Sequence, residues 1–114
     1  MLQSRKSAIF AVTMIIYNTT FQMADADAAQ FLEWLRTAYV PQALASGHLS
    51  RPQLARVMAS KDEGRSYALQ FHVASLAALQ QWHRQVGQAL QRRLVAEFGT
   101  RVVGFSTMMQ VVEL

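Results

Sequence analysis

The sequence predicts an α+β domain in which four antiparallel strands form one sheet and two helices cover one of its faces. The first observation is the strict alternation of residues 65–73, where Tyr67, Leu69, Phe71 and Val73 share one side. Only a β-strand has this period of two. The second observation is a pair of longer stretches with apolar residues at helical spacing. The third is the order of these segments along the chain, which is βαββαβ.

The first predicted strand is Met14–Met23, which has one apolar and one polar side. Ile15, Tyr17 and Phe21 lie on the apolar side, which is typical of a strand that packs on a core. The polar side consists of Asn18, Thr20 and Gln22 together with Ile16.

The first helix is predicted to begin at Asp25 or Asp27, because Asp27 is followed three residues later by Gln30 in an approximate capping box. Its buried stripe is predicted to be Phe31, Leu32, Leu35, Ala38 and Tyr39.

Pro41 is predicted to kink or break this helix, because proline has no backbone N–H and disfavours helical backbone in the residue before it. A short helical piece, residues 42–46, would follow and end at Gly47 in the left-handed conformation. Tyr39 and His48 bracket this end of the helix and are candidates for the rim of a cavity that the short piece closes. The alternative is that Pro41 only bends the helix around the core.

Residues 53–60 form the second predicted strand, and the charged turn 61–64 joins it to the strand Arg65–Val73 as an antiparallel hairpin. Ser75 is placed to cap the second long helix. The buried stripe of this helix is predicted to be Leu76, Leu79, His83, Val86, Leu90, Leu94 and Phe98. A lone histidine within an apolar stripe favours a hydrogen-bonded core or interface residue over a ligand.

Gly99 is predicted to stop the second helix, and residues 101–113 form the last strand. Val103, Phe105, Met109 and Val111 share one side of it, and we expect this side, Phe105 included, to face the helices.

In this topology the first and third strands are central, and both helices lie on one face of the sheet. The other face therefore has no helix over it. We expect a mixed surface there, a candidate cavity or interface formed by Asn18, Thr20, Gln22, Gln70, His72, Ser106 and Gln110, with Ile16, Met58 and Met108 between them.

Composition favours one domain that has a partner subunit. The chain has 114 residues, of which 52% are hydrophobic and only 16% charged, which is little charge for a small domain that must cover itself. No cysteine is present, which excludes disulfides and thiolate chemistry. Residues 1–13 are interpreted as an extension or a mis-called start, disordered or untranslated, rather than an export signal, and residues 14–114 as the domain. The apolar run is too short for a membrane span, and a cytoplasmic location is expected.

Several function classes are disfavoured by the sequence. Without the first thirteen residues the chain has a net charge of +2, an ordinary surface charge. The third strand presents Ala68, Gln70 and His72, where RNA-recognition domains present aromatic residues, so nucleic acid is not an expected partner. No motif for phosphate, nucleotide or metal binding is present, and neither a metal nor a cofactor is expected.

Four stretches together carry a family resemblance. They are Met14-Ile15-Ile16-Tyr17-Asn18-Thr19-Thr20-Phe21, Tyr39-Val40-Pro41, Ser66-Tyr67-Ala68-Leu69-Gln70-Phe71 and Val103-Gly104-Phe105-Ser106-Thr107. With them, residues 14–114 resemble the small bacterial domain-of-unknown-function family 4286. The resemblance implies a ferredoxin-like fold close to the dimeric α/β-barrel proteins, and it implies no reaction or catalytic residue.

Two functions remain open at the level of sequence. The first is a small homodimeric interaction or small-ligand-binding domain with no catalytic motif. The alternative is a cofactor-light enzyme, similar to the monooxygenases or isomerases of the dimeric α/β-barrel type. In that enzyme His72 would be the acid–base group, and Gln70 and Asn18 would orient the substrate. Fold alone does not decide between them.

Overall fold

The sheet has the predicted order of strands. The computed structural model describes residues 14–58 and 64–114. Its strands are β1 (Ile15–Met23), β2 (Leu49–Arg56), β3 (Arg65–Val73) and β4 (Val102–Gln110). They form one antiparallel sheet in the order β2-β3-β1-β4. The central strands are therefore β1 and β3, and the ferredoxin-like α+β fold is confirmed.

Two long helices pack on one face of this sheet, and each contains a single π-helical turn. Helix α1, residues 25–44, consists of Asp25–Trp34, the π turn Leu35–Tyr39 and Val40–Leu44. Helix α2, residues 76–98, consists of Leu76–Trp82, the π turn His83–Gly87 and Gln88–Phe98. A short 3₁₀ turn, Gly99–Arg101, leads into β4.

The core lies between the helices and strands β1 and β3. Its largest fully buried side chains are Trp82, Phe21, Phe31, Phe71, Phe98, Leu35, Leu90 and Val73. Phe31 packs at ring distances of 5.0 Å from Phe21 and 5.4 Å from Phe98. The indole N–H of Trp82 donates to the carbonyl oxygen of Ala43 at 2.9 Å, which ties α2 to the end of α1. Aromatic packing therefore fixes both helices above the two central strands.

Helix α1 begins without the predicted aspartate cap. Ala24 is the N-cap residue and makes no side-chain cap hydrogen bond. Asp25 instead accepts from Arg65 Nε at 3.2 Å, and Asp27 accepts from Arg101 Nη1 at 2.9 Å. The carboxylates lie in the first helical turn, where they also face the positive end of the helix dipole. The capping prediction for α2 is confirmed, because the Ala78 N–H donates to Ser75 Oγ at 3.1 Å.

Pro41 does not break α1. The helix passes through it to Leu44, and the π turn directly before it is closed by the Val40 N–H, which donates to the carbonyl oxygen of Leu35. This wider turn offers a physical reason for the continuity, because a proline ring meets the carbonyl one α-helical turn earlier when the helix is regular. Gly47 follows the helix at φ +81°, as predicted.

Strand β2 starts four residues earlier than predicted. It runs from Leu49 and contains a bulge between Ser50 and Gln53, in which Arg51 has φ +51°. The irregularity admits Pro52, which cannot donate to a ladder and is tolerated at bulges and on edge strands such as β2. The predicted end of this strand beyond residue 58 and the turn at 61–63 lie outside the described residues.

The predicted orientation of β4 is wrong by one residue. Val102 pairs with Met23 and is buried, whereas Phe105 pairs with Thr20 and is 55% exposed on the helix-free side. The prediction took the more apolar side of the strand as the core side. The helices cover only the start of β4, so that argument fails there, and its apolar side faces away from the helices.

No helix in the described ranges is long and apolar enough to cross a membrane. The cytoplasmic location stays a prediction.

Candidate functional site

The helix-free face of the sheet is uncharged. We define it by the register-paired strand residues whose side chains point away from the helices, because opposite partners in an antiparallel pair share a face. They are Ile16, Asn18, Thr20, Gln22, Ser50, Gln53, Ala55, Ser66, Ala68, Gln70, His72, Val103, Phe105, Thr107 and Met109. None of these described residues is Asp, Glu, Lys or Arg. Val103 and Phe105 are each more than half exposed, so apolar surface lies open along β4.

Five of the seven polar residues predicted for the sheet face lie on this face. Asn18 is opposite Gln70, and Ile16 is opposite His72, across the β1–β3 ladder. The Asn18 Nδ2 donates to Thr20 Oγ1 at 3.2 Å, whereas its Oδ1 is buried without a hydrogen-bond partner. These side chains form a polar centre beside the apolar row of β4.

Ser106 and Gln110 are the two exceptions, and their predicted place on the helix-free face is wrong. Ser106 pairs with Thr19 and points to the helix side. Its hydroxyl is 3.0 Å from Thr19 Oγ1 and 3.2 Å from the Tyr17 hydroxyl, within hydrogen-bond distance of both. The same one-residue error that misplaced Phe105 explains it. Met108 and Gln110 also belong to the helix side.

An open cleft lies between α2 and β4 because small residues stand where a core would have large ones. On the helix side of β4, the first residues after Val102 are Gly104 and Ser106. On α2, the facing π turn ends in Gly87. A Cβ at Gly87 would lie 2.7 Å from Trp82 Cζ3, so the indole ring occupies the space that a side chain there would need.

The α2–β4 cleft contains two cavities, of about 380 and 300 Å³. Tyr17, Trp82 and His83 border both. The larger cavity is completed by Leu76, Leu79, Gln80, Arg84 and Met108. Both volumes are at the lower end of the range for small-molecule sites, and mostly apolar walls with a few polar groups are typical of such sites.

Aromatic packing shapes the wall of the cleft. The Tyr17 and Trp82 rings meet edge to face at 5.6 Å. The Trp82 N–H is already satisfied by Ala43, and only 1% of this residue is exposed, so the half-buried Tyr17 is the accessible ring of this wall. The Tyr17 hydroxyl with Ser106 and Thr19 forms a row of hydroxyl groups that can both donate and accept hydrogen bonds.

Positive charge and imidazole lie at the same cleft. Arg84 and His83 border the larger cavity, and no acidic residue does. The three ion pairs within the described ranges use Arg36, Arg65 and Arg101, so none of them occupies Arg84. His83 is exposed and borders both cavities, and its predicted place in the buried stripe of α2 is wrong because the π turn changes the helical phase there.

The two predicted rim residues lie in different environments. Tyr39 is buried in the core, with ring distances of 6.0 Å to Phe21 and 5.6 Å to Trp34, and it borders only the smaller cavity of the α2–β4 cleft. Burial raises the pKa of the Tyr39 hydroxyl above its ordinary value, and the neighbouring Tyr17 adds to this shift. His48 Nε2 lies 3.3 Å from Gln85 Oε1 on α2.

No group of three or more His, Asp or Glu side chains that could hold a metal is present in residues 14–58 and 64–114. The chemistry that the α2–β4 cleft offers is hydrogen bonding by hydroxyls and imidazole, one guanidinium charge and an apolar wall. The sequence carried one signal for it, which is the run of small residues on the helix side of β4. Trp82 and Arg84 could not be placed there without knowing which face of α2 meets that strand.

Solved structures share the fold at low sequence identity. A dimeric ferredoxin-like protein from an uncultured marine organism is similar with a TM-score of 0.67 and 14% identity, over 90% of this chain and 97% of that one. A suspected antibiotic biosynthesis monooxygenase from Caulobacter crescentus CB15 is similar with a TM-score of 0.65 and 19% identity, over 96% of this chain and 99% of that one. A mutant of SnoaB, a cofactor-independent oxygenase from Streptomyces nogalater, is similar with a TM-score of 0.62 and 16% identity, over 90% of this chain and 96% of that one. These similarities show the fold.

The family assignment rests on the sequence. Comparison with curated proteins found no match. The profile of the family described as "Domain of unknown function (DUF4286)" matches residues 14–112, which include every strand and helix of the fold. The chain therefore belongs to the DUF4286 family.

Proposed function

We propose that this protein is a homodimeric small-molecule-binding protein that dimerises through the helix-free face and binds its ligand in the α2–β4 cleft. The observation that carries the proposal is that β4 presents apolar side chains on both of its faces. Met109 points to the helix-free face, and Met108 points into the cleft. One strand thus separates a flat surface from a concave one.

The flat surface suits a second copy of the chain. It is uncharged over its paired residues and exposes Val103, Phe105 and Met109, and depletion of charge is the compositional mark of interface centres. A two-fold contact would bring the same row from each protomer together. Structural neighbours with the same fold, from a marine organism and from Thermobifida fusca, are described as dimeric, which supports a dimer here by analogy.

The concave surface suits a small ligand. The larger cavity combines Leu76, Leu79 and Met108 with the Tyr17 hydroxyl, which is the mixture of apolar wall and few polar groups that orients a bound molecule. Because the cleft lies on the helix side, the proposed dimer would leave it open.

The alternative enzyme with His72 as acid–base group has less support. His72 lies on the helix-free face opposite Ile16, so the proposed dimer would cover it. The cavities of the α2–β4 cleft are bordered by His83 instead. A cofactor-light reaction at this fold is supported only by the description of SnoaB as a cofactor-independent oxygenase, which is analogy of fold.

Substitution of Met108, in the cleft, and of Met109, on the helix-free face, tests ligand binding and dimerisation separately. Met108→Lys should weaken binding of phenylnaphthylamine, a neutral dye that fluoresces in apolar sites, by about tenfold or more, because it puts a charge into the apolar cavity. It should leave the dimer intact. Met109→Lys should shift the protein toward monomer and leave dye binding within about twofold. Fluorescence titration measures the first quantity, and sedimentation equilibrium measures the second.

The two variants serve as controls for each other, since they make the same substitution at neighbouring positions. If both weaken dye binding equally, the dye binds elsewhere and the cleft is not the site. A wild-type chain that binds no dye would contradict the ligand-binding function, and a dimer unaffected by Met109→Lys would contradict the proposed interface.

A further inference from the structure

We infer that the ligand of the α2–β4 cleft is a small aromatic anion, held by the Arg84 guanidinium at its acidic group and by the Tyr17–Trp82 wall at its ring. This inference rests on the proposed function and specifies its ligand class. We therefore expect the affinity of the cleft for a ligand to depend on the negative charge of the ligand as well as on its apolar surface.

The charge distribution around the cleft favours an anionic ligand. Helix α2 contains Arg84, Arg92 and Arg93 and only one acid, Glu97. Elsewhere in the described ranges Asp25 and Asp27 are paired with arginines, and Glu33 lies 4.0 Å from Arg36. Glu97 and the remaining described acid, Glu113, form no ion pair with Arg84, and neither borders the larger cavity. Arg84 therefore brings an uncompensated positive charge to the larger cavity. A guanidinium beside an apolar wall is a strong binder of carboxylate-like groups, because it is weakly hydrated and donates two parallel hydrogen bonds.

The shape of the cleft wall favours an aromatic ring on the ligand. The Trp82 ring is fixed by its hydrogen bond to Ala43 and by the edge-to-face contact with Tyr17. The half-buried Tyr17 is the ring of this wall that a ligand can reach. Its fixed position favours a flat ring over a flexible chain, because ring contacts have preferred offset and edge-to-face geometries. Leu76 and Met108, both exposed, stand at the border of the same cavity and can cover a bound ring.

The row of hydroxyl groups formed by Tyr17, Ser106 and Thr19 can bind an oxygen atom of the ligand. The Tyr17 hydroxyl is 3.2 Å from Ser106 Oγ, which is 3.0 Å from Thr19 Oγ1. A chain of hydroxyls can turn one O–H toward a ligand oxygen while the others stay hydrogen-bonded to each other. Of these three groups, Tyr17 borders the larger cavity together with Arg84. The hydroxyls can donate or accept, so the charge of Arg84 is what favours an anionic oxygen on the ligand over a cationic nitrogen.

The test compares two dyes with related ring systems. Anilinonaphthalene sulfonate carries one anionic group, and phenylnaphthylamine carries none. At low ionic strength we expect wild-type protein to bind the sulfonate at least about tenfold more tightly. Arg84→Gln should remove this preference, because it deletes the charge at similar length, and should leave binding of the neutral dye within about twofold. Naphthoate should displace the sulfonate from wild-type protein, and naphthyl methanol should require about tenfold or more higher concentration to do so.

Arg92→Gln is the matched control, since Arg92 is exposed on the same helix and does not border the cleft. Equal losses in the two arginine variants would assign the effect to the general positive field of α2 and overturn the inference. Binding of the neutral dye without preference for the sulfonate would overturn the ligand class and leave the proposed function standing. Failure of both dyes to bind would overturn both.

Discussion

Individual residues decide where this fold departs from its sequence pattern. Phe105 and Ser106 exchange their predicted faces because Val102, and not Val103, is the buried residue of β4. Asp25 and Asp27 bind Arg65 and Arg101, and these arginines are too distant in sequence for a local capping rule to anticipate.

Tyr39 gives a prediction at the scale of a single ionisable group. Its folded-state pKa is raised by burial, so the folded protein holds this proton more tightly than the unfolded chain, whose tyrosines titrate at about 10. The stabilising contribution is complete below pH ~10 and is lost as the pH rises from there through the folded pKa. Between pH 10 and 11 the wild type should lose ~1 kcal/mol more unfolding free energy than Tyr39→Phe. Urea unfolding at several alkaline pH values measures this, and parallel curves for the two proteins would contradict it.

The elements of the fold were predictable to different degrees, for physical reasons. The bounds of β3 agree with the prediction because Tyr67, Leu69, Phe71 and Val73 alternate without interruption and the strand is central. The start of β2 was missed because Pro52 is read as a strand breaker, and the bulge that admits it depends on its edge position. Neither π turn could be read from apolar spacing, since each inserts a residue into an otherwise regular pattern. The cleft between α2 and β4 was missed because its small residues come from separate elements.

The turns between elements give a second prediction, based on two glycines with positive φ. Gly47 has φ +81° and open space where a Cβ would be, whereas a Cβ at Gly64 would lie 2.4 Å from the backbone oxygen of Met23. Gly47→Ala should therefore cost only the left-handed strain, ~1 kcal/mol. Gly64→Ala should cost ~3 kcal/mol or more, because strand backbone must also move.

Chemical denaturation followed by far-ultraviolet circular dichroism compares the two variants directly. Equal destabilisation would mean that the contact at Met23 is relieved without cost, and that the packing of Gly64 against the end of β1 is not a constraint on the fold.

At the scale of the whole molecule, we propose that two covered surfaces explain why only 16% of the residues are charged. The helix-free face is proposed to be covered by a second copy, and the α2–β4 cleft to be covered by a ligand. Of the mixed sheet face that the sequence predicted, Asn18, Thr20, Gln22, Gln70 and His72 lie on the helix-free side, whereas the homodimer stays a proposal. The sequence could not place the cleft, which depends on how far the helices extend over β4.

The most direct measurement of the central claim is the mass of the protein in solution when one charge is added to the sheet. Val103 and Val95 are similarly exposed, 52% and 55%, but Val103 lies on the helix-free face and Val95 on α2. In a two-fold interface Val103→Glu places like charges from both copies in one contact. At micromolar concentration we predict, by sedimentation equilibrium, a dimer for the wild type and for Val95→Glu, and a monomer for Val103→Glu. A monomeric wild type, or a Val103→Glu variant that stays as dimeric as Val95→Glu, would contradict the account.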